Sequence, residues 1–367
     1  MVKSTQQGYS LIELMIATAL AALTGLVALQ VAASFQASKS QAGSQNEALM
    51  SASIGLYQLE RELRMAGAGF IGADGLICEA GVNLYYNGAV VQDGTALPFV
   101  RIVDGGTGPD SIRWLRTDAL QNSAPATILT TMSNADANIT VDNAWGLTQG
   151  DLFLAFSSDG SKRCTVYQMS AAPTVDVNAF ALPHAAGSTL LYNPNAASAF
   201  TGPMAYEVSD KVINLGQAPF QAASVVCATG GNSCELAGHN AVAAVPAYGT
   251  GTSLASEVVD LQAQYGVAPA GSQSITEWVD ATGATWADPT QANLNRIKAL
   301  RIALVTRGSY EPGEISPTTL VLWDEPAAGQ VTVASKRERT LTSAERHYRY
   351  HVAYTIVPLI NVIRAGL

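Results

Sequence analysis

One carboxylate, Glu13, is the only charged side chain between Lys3 and Lys39. It stands at the entrance of Leu14–Ala33, 20 residues without a charge, in which Thr18, Thr24 and Gln30 are the isolated polar members. An ionised carboxylate beside that much apolar surface is costly unless a cation or a hydrogen-bond donor meets it. The plain alternative is an interfacial glutamate facing lipid headgroups. Glu13 is therefore the side chain whose position most needs a chemical explanation.

The other reactive residue types are few. Four cysteines (Cys78, Cys164, Cys227, Cys234) allow three pairings. Cys227 and Cys234 flank Ala228–Ser233, a loop they could close, which leaves Cys78 with Cys164. Zinc is the competing use, with His239 five residues beyond Cys234. No C-x-x-C occurs and the spacing is not that of a zinc ribbon, so disulfides in an oxidising compartment are expected and a metal is not. His347 and His351 fall on one face of a late strand with Arg349 between them, which reads as a solvated face rather than a metal site. Asp104–Asp110 offers oxygen ligands to calcium in principle, but an Asx-rich turn is the better reading. The cluster Lys336-Arg337-Glu338-Arg339 with Arg346 reads as a solvated loop or a subunit contact rather than a DNA site. Gly67-Ala68-Gly69-Phe70-Ile71-Gly72 matches G-x-G-x-x-G, but a helix precedes it where a dinucleotide site needs a strand. No G-x-S-x-G, H-E-x-x-H, G-x-x-x-x-G-K-[ST] or EF-hand pattern is present. No catalytic residue, cofactor or metal is expected.

Composition sets the frame for these residues. Net charge is −9, and only 13% of the 367 residues are charged, about half the usual roughly 25%. With 48% hydrophobic residues the chain is not disordered. A pI near 4.9 lacks the basic footprint of a general nucleic-acid binder. Thirty-two glycines and 15 prolines favour turn-rich β structure.

The elements follow from periodicity. Leu14–Ala33 is rich in Ala and Leu and at about 1.5 Å per residue spans roughly 30 Å, a bilayer core. It is too long for the apolar region of a secretory signal peptide. Leu49, Ala52, Leu56, Leu59, Leu63 and Ala66 continue as one stripe of a helix. A single helix from Tyr9 to about Ala66 is expected, ending near Gly67. Beyond it, strands are expected at Ser111–Arg116, Gly150–Ala155, Cys164–Met169 and Ile297–Val305, with a helical turn over Asn293–Leu300 as the alternative to the start of the last. Val259–Val267 alternates, with Asp260, Gln262 and Gln264 on the polar face; Tyr348–Ile356 alternates likewise, with His347, Arg349 and His351 opposite its rings. Residues 186–203 and 227–256 read as loops or insertions.

Met1–Gly8 followed by Tyr9-Ser10-Leu11-Ile12-Glu13-Leu14-Met15-Ile16 resembles the class III signal of type IV prepilins. The resemblance implies cleavage after Gly8 by a prepilin peptidase and N-methylation of Tyr9, which stands where the family usually has Phe. It also implies that Glu13 pairs with the freed amine of a neighbouring subunit and sets axial register. Arg61–Gly67, Leu261–Val267, Arg301–Arg307 and Tyr348–Asn361 resemble minor pilins of the PilW family. One departure is that Cys78 comes eleven residues past Gly67, where the family often places a Cys sooner.

The expected fold is α+β and pilin-like: leader 1–8, helix 9–66 with about 14–33 in the membrane, and a β-rich body 67–367. The implied role is a minor pilin that helps start type IV pilus assembly and is built into the pilus or its tip, serving twitching, adhesion or DNA uptake. Its partners would be other minor pilins, the major pilin, the prepilin peptidase and the inner-membrane assembly platform, without direct nucleic-acid contact. It would wait in the inner membrane with a periplasmic body and reach the cell surface on assembly. The rivals are a J-type pseudopilin of type II secretion and a membrane-anchored periplasmic adhesin or enzyme.

Overall fold

The computed structural model describes residues 10–72, 75–118, 125–185, 190–196, 198–202, 205–231, 233–323, 332–333 and 337–365. Helix α1 runs from Leu11 to Arg64. Ser10 sits before it with extended backbone, and its N–H donates to Glu13 Oε2 at 3.0 Å. That bond serves one of the donors a helix start leaves open. No proline interrupts the segment, and its Ala and Leu content favours helix. At the other end Gly67 turns at φ +75°, and its N–H leaves the helix for the carbonyl of Leu115. The helix stops at Arg64, slightly short of the expected Ala66, because Ala66 N–H closes a tighter turn onto Leu63.

Three main sheets make the body. The first has six strands in the order Ala89–Thr95, Val82–Tyr86, Cys164–Gln168, Leu152–Phe156, Lys211–Gly216, Ala126–Thr127. The second has five: Thr252–Ser256, Cys234–Asn240, Phe220–Cys227, Ser111–Leu115, Val100–Val103. The third also has five: Thr332–Val333, Glu277–Val279, Val258–Val267, Ile297–Tyr310, Tyr348–Pro358. The chain passes from second to third sheet through Glu257, a non-glycine residue at φ +52°. Its carbonyl accepts from Arg307 N–H and its carboxylate meets Arg307 Nη2 at 3.0 Å, which holds that corner.

One core joins the second half of α1 to the second and third sheets. Leu56, Leu59 and Leu63 are buried there with Ile112, Leu236, Leu261, Ile302 and Leu304. Each such leucine contributes about 1.5–3 kcal/mol by leaving water. A second core lies between the first sheet and a small three-stranded sheet (Thr174–Asp176, Ala179–Leu182, Ile139–Val141), around Phe153, Tyr167 and Leu182.

Three expectations need correction. The segment 227–256 is not a loop: Cys234–Asn240 and Thr252–Ser256 are strands of the second sheet. The polar side of Val258–Val267 is not exposed either. Asp260, Gln262 and Gln264 are buried because the hairpin of Thr319–Trp323 and Arg337–Thr340 lays Leu322 and Trp323 against Ala303 and Val305. On α1, Ala48 is buried and Leu49 is 47% exposed, so the docked stripe starts one position earlier than the expected Leu49. The other expected loop, 186–203, holds no strand among its described residues.

Candidate functional site: the long helix and its seam with the body

The helix has two halves with opposite surroundings. From Leu11 to Gln36 every residue is exposed, including Leu14, Ile16, Leu20, Leu23 and Phe35. At about 1.5 Å per residue this free length is roughly 39 Å, enough to cross a bilayer core. Residues 41–64 dock on the body. Ser44 Oγ lies 3.0 Å from Ser309 Oγ, Thr306 Oγ1 donates to Ala48 O at 2.9 Å, and Ser51 Oγ donates to Ser256 O at 2.5 Å. Near the end, Glu62 meets Arg116 Nε at 2.7 Å, and Asn361 Nδ2 donates to Ala66 O at 2.9 Å. The helix is therefore held along its second half by both sheets and by the short C-terminal helix Ile360–Ala365.

Gly55 makes the closest part of this contact possible. A Cβ there would stand 3.0 Å from Ala255 Cβ and 3.0 Å from Leu304 Cδ1, one residue from each sheet.

Glu13 projects from the exposed first turn, its carboxylate engaged by Ser10 N–H. An acidic side chain at this end complements the helix dipole. Gly8 and Tyr9 lie outside the described residues. Two disulfides are present. Cys78–Cys164 ties the start of the body to the first sheet, and Cys227–Cys234 joins residues directly opposite in a hairpin.

The remaining candidates are placed as follows. Both ring nitrogens of His239 are taken, Nε2 with Ser224 Oγ and Nδ1 with Asn240 O, each at 3.0 Å. Burial lowers its pKa, so the ring is neutral near pH 7. With Cys234 in a disulfide, the cysteine–histidine set does not form. Asp104 accepts from Gly106 N–H. Asp110 accepts from Gly105 N–H at 2.9 Å and Ala263 N–H at 2.8 Å, which binds this turn to the third sheet. Among the described residues no group of three or more His, Cys, Asp and Glu side chains is placed to hold a metal. Gly67 and Gly69 sit at positive φ and are followed by the strand Ile71–Gly72, not by the helix that a dinucleotide turn requires.

The basic cluster is not a solvated loop. Arg337 Nε donates to Gln262 Oε1 at 2.9 Å, Arg339 bridges Asp260 and Glu345, and Arg346 meets Glu314 at 2.6 Å. Lys336 lies outside the described residues. The late-strand face of Arg349 and His351 is also not open solvent: it turns toward α1, with Val357 buried in the core and Ala353 packed against it. His347 instead belongs to the turn before the strand, where it stacks on Tyr310 and contacts Glu311 O. Composition could have hinted at this. Ala353 and Val357 share the parity of Arg349 and His351, so that face was never purely polar.

Comparison with known families now adds to this geometry. The prokaryotic N-terminal methylation motif matches residues 3–29, which takes in Glu13 and most of the free half of α1. The type IV pilus-assembly protein W family matches residues 234–361, from Cys234 to the asparagine that caps the helix end. Over that segment the chain is similar to the type IV pilus-assembly protein W family, and its N-terminal end carries the methylation motif. No curated protein and no solved structure gives a significant match. The PilW-matching segment supplies the strands Thr252–Ser256, Ile297–Tyr310 and Tyr348–Pro358, against which α1 docks. The first sheet lies outside both matched segments.

Proposed function

We propose that this PilW-like protein helps initiate type IV pilus assembly from the inner membrane and is carried into the pilus, at or near its tip. The observation that carries this reading is the division of α1. Its apolar half, Leu11–Gln36, is wholly exposed, while residues 41–64 are held by the body. Such a half needs lipid before assembly and other apolar helices after it.

Processing after Gly8 would free an amine on Tyr9 for N-methylation, and Glu13 would pair with the corresponding amine of a neighbouring subunit. The body would then be periplasmic until extrusion. A body of this size suits a cap or a decorated tip better than a repeated shaft position. Other minor pilins, the major pilin, the prepilin peptidase and the assembly platform are the proposed partners, and twitching, adhesion or DNA uptake the processes served.

The test is a gene deletion complemented with the wild-type chain or with a Gly8-blocked chain. Surface pili should vanish on deletion and return only with the cleavable chain, whose mature N-terminus should be methyl-Tyr9 by mass spectrometry. Normal piliation in the deletion strain with lost protein secretion would shift the reading to a J-type pseudopilin.

A further inference from the structure

Three arginines on or against the third sheet, near the point where α1 leaves the body, are each answered by a carboxylate. Arg307 has Glu257 at 3.0 Å, Arg339 has Asp260 at 2.9 Å and Glu345 at 2.7 Å, and Arg346 has Glu314 at 2.6 Å. Arg349 is different. Among the described residues no carboxylate is paired with it, and its Nε–H is buried without an acceptor.

Arg349 lines an open groove of about 350 Å³ together with Gln45, Leu49, Ile315, Ser316 and His351. One wall is α1 and the other is the start of the last strand with the turn before it. Leu49 and Ile315 are 47% and 38% exposed, so the lips are apolar while a cation lies within. Leu49 also adjoins Met50, Ile54 and Tyr57, which are exposed on the outer side of α1. The groove therefore opens onto an uncovered apolar helix surface.

A half-buried guanidinium without a counter-ion is unfavourable, and an incoming carboxylate would remove that cost with charge-assisted hydrogen bonds. The apolar lips favour a side chain delivered on an apolar scaffold over a free small anion. We propose that this groove receives an acidic side chain carried on an apolar helix of a neighbouring pilus subunit, with Arg349 as its counter-ion. The proposal rests on the pilin reading and names the chemistry of one partner contact beyond the membrane.

The experiment uses the full chain in membranes that also hold the other pilus components. A photoreactive benzoylphenylalanine replaces Ile315 at the groove or, separately, Leu26 in the free half of α1. Ile315 should crosslink to a different pilus subunit, at a peptide with Asp or Glu within one helical turn of the crosslink. R349Q should lower that yield about tenfold, the worth of one charge-assisted bond, and R349K should keep most of it. Exchanging charges, with R349E in this chain and the partner's acid changed to Arg, should restore the yield. The variants should retain both disulfides and wild-type trypsin resistance, which separates lost contact from lost folding. Equal Ile315 yield in R349Q, a crosslink to lipid or to a second copy, or no Ile315 crosslink while Leu26 still reacts would each overturn the groove and leave the pilin reading standing. Loss of the Leu26 crosslinks as well would overturn both.

Discussion

Gly55 and Leu304 approach so closely that a Cβ on the glycine would lie 3.0 Å from Leu304 Cδ1. That distance is short for a carbon pair, so this turn of α1 is seated on the third sheet with no room for a side chain. Ala255 stands equally near from the second sheet, so neither sheet can yield without pressing on the other. Gly55→Val should cost about 1–3 kcal/mol through overpacking, read as a lower urea midpoint for the detergent-solubilised chain. Gly43, also within α1, has nothing within 4 Å of its would-be Cβ. Gly43→Ala should therefore raise stability by about 0.5–1 kcal/mol through helix propensity alone. Matching signs for the two variants would contradict the close seating.

Asp110 should make this protein respond to acid in an unusual direction. Burial pushes its carboxyl up to about 6, despite the Gly105 and Ala263 N–H groups that favour the charged form; Asp104 adds repulsion and Arg337 opposes it. The folded state thus holds the Asp110 proton more tightly than the unfolded chain does. Its contribution to stability is present in full below the ordinary aspartate pKa and is lost as pH rises through about 6. A shift of this size corresponds to about 3 kcal/mol. Measured as the difference between wild type and Asp110→Asn in urea melts, wild type should gain relative stability as pH falls from 7 to 4. A constant difference across that range would remove the argument.

The two disulfides should differ in worth. Cys78 and Cys164 are separated by 86 residues, Cys227 and Cys234 by 7. In the loop-entropy model these closures stabilise by about 4.6 and about 2.4 kcal/mol. Cys78→Ser with Cys164→Ser should therefore lower the urea midpoint roughly twice as far as the pair Cys227→Ser with Cys234→Ser. The first bond also joins buried residues at the entry to the first sheet, whereas Cys227 is exposed. Mild reductant should accordingly open the hairpin bond first, as followed by alkylation and mass spectrometry.

These sites divide by whether their causes are local. The start and course of α1 are visible in the sequence because Ser10, Glu13 and the Ala/Leu run act within a few residues of one another. The end is visible for the same reason, since Gly67 supplies its own positive φ. The one-position difference at Ala48 and Leu49 is set from far away, by Thr306 reaching the Ala48 carbonyl. Distance along the chain also hides the fate of Asp260 and Gln262. Both look like the solvent side of an alternating strand until Arg337 and Arg339 arrive with a later hairpin. The strand Cys234–Asn240 was obscured by composition: Ala, Gly, Asn and His there give no alternation, and the pairing is imposed by the hairpin from Phe220–Cys227. Arg349 had no local sign at all, because lacking a partner is a property of everything around it.

Glu13 admits a test that separates its two possible duties. Its carboxylate accepts from Ser10 N–H at 3.0 Å, so part of its value is to cap its own helix. The proposed duty to a neighbour is different in kind, since it needs the negative charge. Glu13→Gln keeps an oxygen that can accept from Ser10 N–H and keeps the side-chain length, but removes the charge. Glu13→Ala removes both. If pairing with a neighbour's amine sets register, both variants should be cleaved after Gly8 normally, accumulate in the membrane and fail to enter pili. Immunoblots of sheared pili against membrane fractions would read that result. Should Glu13→Gln enter pili as wild type does while Glu13→Ala does not, the cap alone would explain the residue. The charge argument predicts the opposite, because an amide cannot neutralise an ammonium group within an apolar helix bundle.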